Sequence, residues 1–254
     1  MTKREEEPTV DARISEFAQI ISPPEDGEAP VVVGGHAVNL WSEYYFALGV
    51  KALAAYMPFT SKDLDLIGPA GLLERLHATH KGKLTLSDPR SPVLGRLDIL
   101  RENGSLLRIE VLHGVKGLNT KDLSRTMELR IEGISARVLM PHLILKAKIE
   151  NAETISQKGR NDVKHVLMMI LCARSFIEEF AGYVGAGQAS SRALVNLLGE
   201  VMEIVSSRHA MKSTELWGFE FKEVWPLGVL KGLKDEKTSR WLEHPDDQNK
   251  TEAE

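Results

Sequence analysis

The stretch that most constrains the fold is Pro58 to Gly68, PFTSKDLDLIG, taken with Val31-Val32-Val33-Gly34-Gly35 upstream. In Asp63-Leu64-Asp65-Leu66 acidic and apolar residues alternate with period two, which on a strand sends both carboxylates to one face and both leucines to the other. Carboxylates side by side on a sheet face repel and raise each other's pKa, so the pair calls for a counter-charge. A divalent cation is the natural one. Magnesium suits the pair, because it takes one or two carboxylates and completes its shell with phosphate oxygens and water. The plain alternative is a solvated edge strand whose acids discourage aggregation.

Val31 to Val33 is a short β-branched run that predicts a buried strand, and Gly34-Gly35 lets the backbone turn sharply with exposed amides. After it, Ala37, Leu40, Trp41 and Tyr44 recur at helical spacing. Strand, glycine turn and helix N-terminus together form an anion site, since free N–H groups and the positive dipole end face a phosphate. His36, at the helix start, is expected to be a cap-region or surface residue.

These residues resemble a known pattern. Gly34-Gly35, the helix carrying Ala37 and Asn39-Leu40, and Thr60 to Leu66 (TSKDLDL) are similar to the signature of the DNA polymerase beta-like nucleotidyltransferases. The likeness is nearest to the AbiEii/AbiGii toxin-type branch and spans roughly residues 30 to 180. Gly35 and Asp63 stand 63 − 35 = 28 positions apart, longer than the compact superfamily spacing. Tyr45 to Phe59 is therefore expected to add a turn of helix and a loop.

The chain has 254 residues, enough for one large or two modest domains with a sizeable core. A net charge of −4 argues against a generally basic, nucleic-acid-coating surface, so any polynucleotide contact should be a patch. The single cysteine, Cys172, excludes an internal disulfide and fits a reducing cytoplasm; its apolar neighbours place it in the core. No run reaches the length of a membrane span, and Met1 to Pro8 lacks an apolar signal core. Cytoplasmic localisation is the expectation.

In order along the chain, residues 1–10 are expected to be disordered and Asp11 to Ile21 to form a short amphipathic helix. After the acid pair, Ala70 to His80 predicts a helix with Leu72, Leu73 and Leu76 inward, and Leu84 to Leu86 a minor strand. Val93 to Arg101 and Ser105 to His113 form a hairpin around Asn103-Gly104. Val115 to Ser124 is expected to be a loop, and Glu128 to Val138 a second hairpin turning near Glu132-Gly133. Helices follow at 142–157, at 161–183 and from Ser191 to about Met211, with Trp217, Trp225 and Trp241 in a less regular tail. The fold class is α+β: a nucleotidyltransferase-type mixed sheet with flanking helices over 1–139, a C-terminal helical domain over 140–244 and a disordered tail over 245–254.

The resemblance implies a magnesium-dependent transferase that moves a nucleoside monophosphate from a nucleoside triphosphate (NTP) onto a hydroxyl of RNA or protein. Asp63 and Asp65 would hold the metals, two ions being the expected number, while Gly34 and Gly35 would face the phosphates. Lys148 lies in an apolar stripe with Leu145, Ile149 and Ala152, so it needs an acceptor; Asp162 on the next helix is the candidate. Lys148 would also reach the triphosphate. The pair is similar to the family's lysine helix followed by a basic-Asp-x-x-Asp segment, except that His165 stands at the last acid. A purely structural ion pair is the alternative.

For the third carboxylate, Asp98 and Glu110 compete. A two-residue turn at Asn103-Gly104 would set Leu97 opposite Glu110 and Asp98 opposite Ile109, placing Asp98 on a face with Leu100, Leu107 and Val111. Glu110 is preferred, also because Arg108 to Leu118 resembles the family's stretch after its third acid. The toxin-type likeness further implies a defence role and a cognate antitoxin as partner. The rival from another class is a catalytically silent antitoxin or binding module that keeps the acid pair as a relic of the fold.

Overall fold

A computed structural model describes residues 10–22 and 28–243. The expectations of disorder at 1–10 and 245–254 lie outside the described residues, apart from Val10. The chain divides into two compact units, Met1–Ala147 and Lys148–Glu254. The division falls inside a helix rather than at residue 140.

The first unit is α+β. Its strands are β1 (Val31–Val33), β2 (Asp63–Ile67), β3 (Lys83–Leu86), β4 (Val93–Leu100), β5 (Leu106–Leu112), β6 (Thr126–Ile131) and β7 (Ile134–Leu139). They form one mixed sheet in the order β3-β4-β5-β2-β1-β7-β6. Pairing is parallel for β2 with β5 and for β1 with β7, and antiparallel elsewhere. The three valines of β1 are all buried, as a central strand requires. Leu64, Leu66, Leu97, Ile109 and Val111 are buried on one face, with α2 (Gly34–Ala47) against β1, β2 and β6 and α3 (Leu72–His80) against β4.

A 3-10 turn (Ile14–Phe17) and α1 (Ala18–Ile21) replace the continuous N-terminal helix, and Ile14, Phe17, Ile20 and Ile21 are buried as their spacing predicts. The chain added between the glycines and the acids is the end of α2 plus a 3-10 turn at Lys51–Tyr56. Trp41 of α2 is fully buried and its Nε1–H donates to the Leu139 carbonyl at 2.8 Å, fastening the helix to the end of β7.

The two hairpins turn differently. Between β6 and β7, Glu132 and Gly133 form a two-residue turn with φ of 49° and 83°, the positive pair that suits the twist of the strands. Between β4 and β5, Arg101 N–H donates to the Ser105 carbonyl at 2.9 Å, and Gly104 takes φ 79°. The loop is therefore Glu102-Asn103-Gly104, three residues rather than two. The register moves by one: Leu97 faces Ile109 and Asp98 faces Arg108.

The expected loop at 115–124 contains α4 (Thr120–Leu123), held by a reciprocal cap. Asn119 Oδ1 accepts from the N–H groups of Lys121 and Asp122 at 2.8 and 3.0 Å, and Asp122 Oδ2 accepts from Asn119 N–H at 3.1 Å. Helix α5 (Pro141–Thr154) carries the division between the units.

The second unit is helical: α6 (Asp162–Gly185), α7 (Ser191–Val205), α8 (Arg208–Trp217), α9 (Leu227–Gly232) and α10 (Glu236–Glu243). The helix expected from Ser191 to Met211 is two, because Ser207 Oγ accepts from Ala210 N–H at 3.1 Å and starts a new one. The tail is more regular than expected: Trp217 belongs to α8 and Trp241 to α10, where it lies 5.3 Å from Trp225. Cys172 is buried in α6. Among the described residues, no helix is long and apolar enough to cross a membrane.

Trp41→Phe should cost about 1–3 kcal/mol in a urea titration, since it leaves the buried Leu139 carbonyl one donor short.

Candidate functional site

Strand register builds a charged face opposite the leucines. Asp63 faces Arg108 and Asp65 faces Glu110 across the parallel β2–β5 pair; Arg96 faces Glu110 and Asp98 faces Arg108 across β4–β5; Lys83 faces Asp98. Directly opposed residues share a face and stand about 4.8 Å apart along the hydrogen-bonding direction. One row therefore reads Lys83, Asp98, Arg108, Asp63, with charges alternating throughout. The next reads Arg96, Glu110, Asp65, and there alternation fails.

Asp98 is not on the core face with Leu107, Ile109 and Val111, as a two-residue turn would have put it; Leu100, two residues on, shares its face and is exposed. The three-residue loop brings it to the side of Glu110. Only 5% of it is exposed, and its charge is taken up by Arg108, whose Nε donates at 2.8 Å, and by Arg96, whose Nε lies 3.2 Å away. Glu110 is differently placed. Burial, then the charge of Asp63, raise its carboxyl above the usual range, while Arg108 and Arg96 pull it back.

The start of α2 closes on this face. Val33 pairs with Asp65, so Gly34, the next residue, sits against the Asp65 side chain. A Cβ built on Gly34 would lie 1.8 Å from Asp65 Oδ2, and Gly34 takes φ 65°. Both facts demand glycine. No side chain caps this helix through its N-cap residue Val33, and the helix starts at Gly34 directly against the Asp65 carboxylate. His36 is no surface residue: it is fully buried, its ring meets Phe17 edge to face at 5.1 Å, and burial pushes its pKa down to about 3.

Asp63, Asp65, Glu110, Gly34 and Gly35 are thus gathered in the first unit. Lys148 and Asp162 belong to the second, where Lys148 Nζ donates to Asp162 Oδ1 at 2.9 Å and Arg160 Nε donates to Oδ2 at 2.6 Å. Burial raises the Asp162 pKa, but the two cations outweigh it and the net shift is downward. His165, beside them, is driven well below its ordinary pKa by burial first and by Lys148 next, so it stays neutral. The sequence reading missed the roles of Arg96 and Arg108. Their signal was the period-two spacing in Arg96-Leu97-Asp98 and Arg108-Ile109-Glu110.

Among the described residues, no cluster of three or more His, Cys, Asp or Glu side chains is disposed to hold a metal by itself. Two opposed carboxylates with a third on the same face are still a fitting donor set for a hard cation that draws its remaining oxygens from phosphate and water.

No protein-family model matches the chain, and no curated protein matches it. Among solved structures it is similar to an antigenic nucleotidyltransferase-like protein from Paracoccidioides brasiliensis, with 19% identity and a TM-score of 0.35. The likeness covers 56% of this chain and 66% of that one, so this chain spans just under two thirds of that protein.

Three substitutions test this geometry by denaturant unfolding. Gly34→Ala should cost about 3 kcal/mol or more, whereas Gly133→Ala, also at positive φ but with nothing within 4 Å of the added methyl, should cost about 1 kcal/mol. Asp98→Asn should lose about 3 kcal/mol or more, because it strands two partly buried arginines. Equal losses for the two glycine variants would show that Asp65 does not lie against the helix start.

Proposed function

We propose that this chain is a nucleotidyltransferase that moves a nucleoside monophosphate from an NTP onto an acceptor hydroxyl, with magnesium as cofactor. The observation that carries the reading is the contact between Gly34 and Asp65. It sets a helix N-terminus, which attracts anions, against a carboxylate that faces a second carboxylate, Glu110. A phosphate and these acids tolerate each other's company when a cation lies between them.

In this reading Asp65 and Glu110, with Asp63 beside them, hold magnesium, and the amides of Gly34 and Gly35 orient the phosphates. When bound, magnesium neutralises the triphosphate and favours ionisation of the attacking hydroxyl. The acceptor oxygen bonds to the α-phosphorus, the bond to the β-phosphate oxygen breaks, and pyrophosphate leaves. Glu110, facing Asp65, serves in this reading as the third carboxylate of that set. In the second unit, Lys148 shares Asp162 with Arg160, so that cluster carries excess positive charge. The toxin-type resemblance extends the proposal to a defence role, with RNA or protein as acceptor and a cognate antitoxin.

One observation favours a second reading. A carboxylate at a helix N-terminus is stabilised there without any ligand, so Asp65 has a structural use and a silent binding module would keep it. Incubation with each α-labelled NTP, magnesium, total RNA and cell lysate decides: label in RNA or protein supports transfer and names the acceptor class. Asp65→Asn and Glu110→Gln should each remove transfer, lowering it at least about 100-fold in a folded protein. Magnesium with an NTP should raise Tm by more than the two separate shifts added. Additive or absent shifts favour the silent module.

A further inference from the structure

A second site lies in the first unit, away from the acidic face. At the C-terminal half of α2, about 13 Å farther along the helix than Gly34 at 1.5 Å rise per residue, a pocket of about 520 Å³ opens. That volume falls in the range of small-molecule sites. Its walls are largely apolar, with Phe46 and Phe59 edge to face at 6.3 Å and Met57 beside them. Phe46 and Met57 are exposed in the free protein.

Two carboxylates line the same pocket. Glu43 comes from α2, and Glu132 from the tight β6–β7 turn, where its positive φ and the following Gly133 fix the backbone. Arg130 also lines it but is engaged on Glu128 through contacts of 3.1 and 3.2 Å. Arg13, an exposed residue, is the remaining cation on the wall.

We propose that this pocket binds a small organic cation, an ammonium on an apolar body, with the ammonium between Glu43 and Glu132 and the body against Phe46, Met57 and Phe59. An anion would meet two carboxylates with only the exposed Arg13 and the Glu128-engaged Arg130 to offset them, and a neutral ligand would leave the carboxylates' repulsion in place. Burial first, then the charge of Glu132, hold the Glu43 carboxyl up at about 7, against the pull of Arg13. The other groups facing it are Ser15 from the N-terminal turn, Tyr44 on α2 and Arg130 on β6; Met57, Pro58 and Phe59 bring no charge. A cation binds the ionised form of Glu43, so its affinity rises as pH climbs through about 7.

The test uses the full chain with 2-phenylethylammonium, the neutral 2-phenylethanol and the anionic 3-phenylpropionate, titrated calorimetrically at pH 6 and pH 8. The ammonium should bind at pH 8 about tenfold or more tightly than the alcohol, weaken about fivefold at pH 6, and outbind the carboxylate throughout. Glu43→Gln should bring the ammonium down to the level of the alcohol. Glu132→Asn, which keeps a residue at ease with positive φ, should weaken it in the same sense and decides the matter if the first variant does not fold. Equal binding of ammonium and alcohol, indifference to both substitutions, or no saturable binding of the ammonium at pH 8 would overturn the proposal.

Discussion

The close approach of Gly34 to the Asp65 carboxylate is the constraint on which the first unit depends. Because Val33 pairs with Asp65, the chain leaves β1 directly beside that side chain and must turn into α2 with no room for a Cβ. The turn is available only at positive φ, so two independent demands fall on one residue. Once it is met, α2 runs back from the sheet's charged margin, Trp41 reaches the end of β7, and the middle of the sheet, β2-β1-β7, is bound to one helix.

Electrostatics then shape the face that the helix leaves open. Lys83, Asp98, Arg108 and Asp63 alternate in sign across four strands, an arrangement that needs nothing added. In the neighbouring row Glu110 meets Asp65, and the helix dipole at Gly34 offsets only part of that repulsion. The excess negative charge is therefore local. It lies where β2 and β5 run parallel, beside the start of α2, whose N-cap residue Val33 offers no capping side chain.

The second unit solves the opposite problem. Burying Lys148 and Asp162 costs desolvation on both sides, and the pair is kept viable by close geometry and by Arg160 on the other carboxylate oxygen. Asp162 is also the first residue of α6, where the dipole favours a carboxylate. His165, held neutral, adds no third cation to the cluster. This ion pair was legible in the sequence because Lys148 interrupts an apolar stripe, and a buried ammonium there needs a partner within one helix crossing.

What the sequence discloses depends on whether the information is periodic or local. The strands, their inward leucines and valines, and the acid pair follow from period-two alternation, and the buried faces of α3 and α7 follow from helical spacing. The burial of His36 was not legible, because it depends on Phe17 from a distant turn packing over it. The short helix α4 was hidden for a different reason: its signal is a cap, Asn119 with Asp122, and not a period. The split between α7 and α8 likewise rests on a single serine. The hairpin register carries the largest consequence for the site. Periodicity settles which residues share a face within one strand, whereas the loop settles which residues share a face across two. Gly104, in the left-handed region, makes that loop one residue longer, and this alone moves Asp98 from among the leucines to the side of Glu110. The two carboxylates that had seemed to be rivals for one role therefore stand on the same face with different ones: Asp98 discharges the arginines, and Glu110 is left facing Asp65.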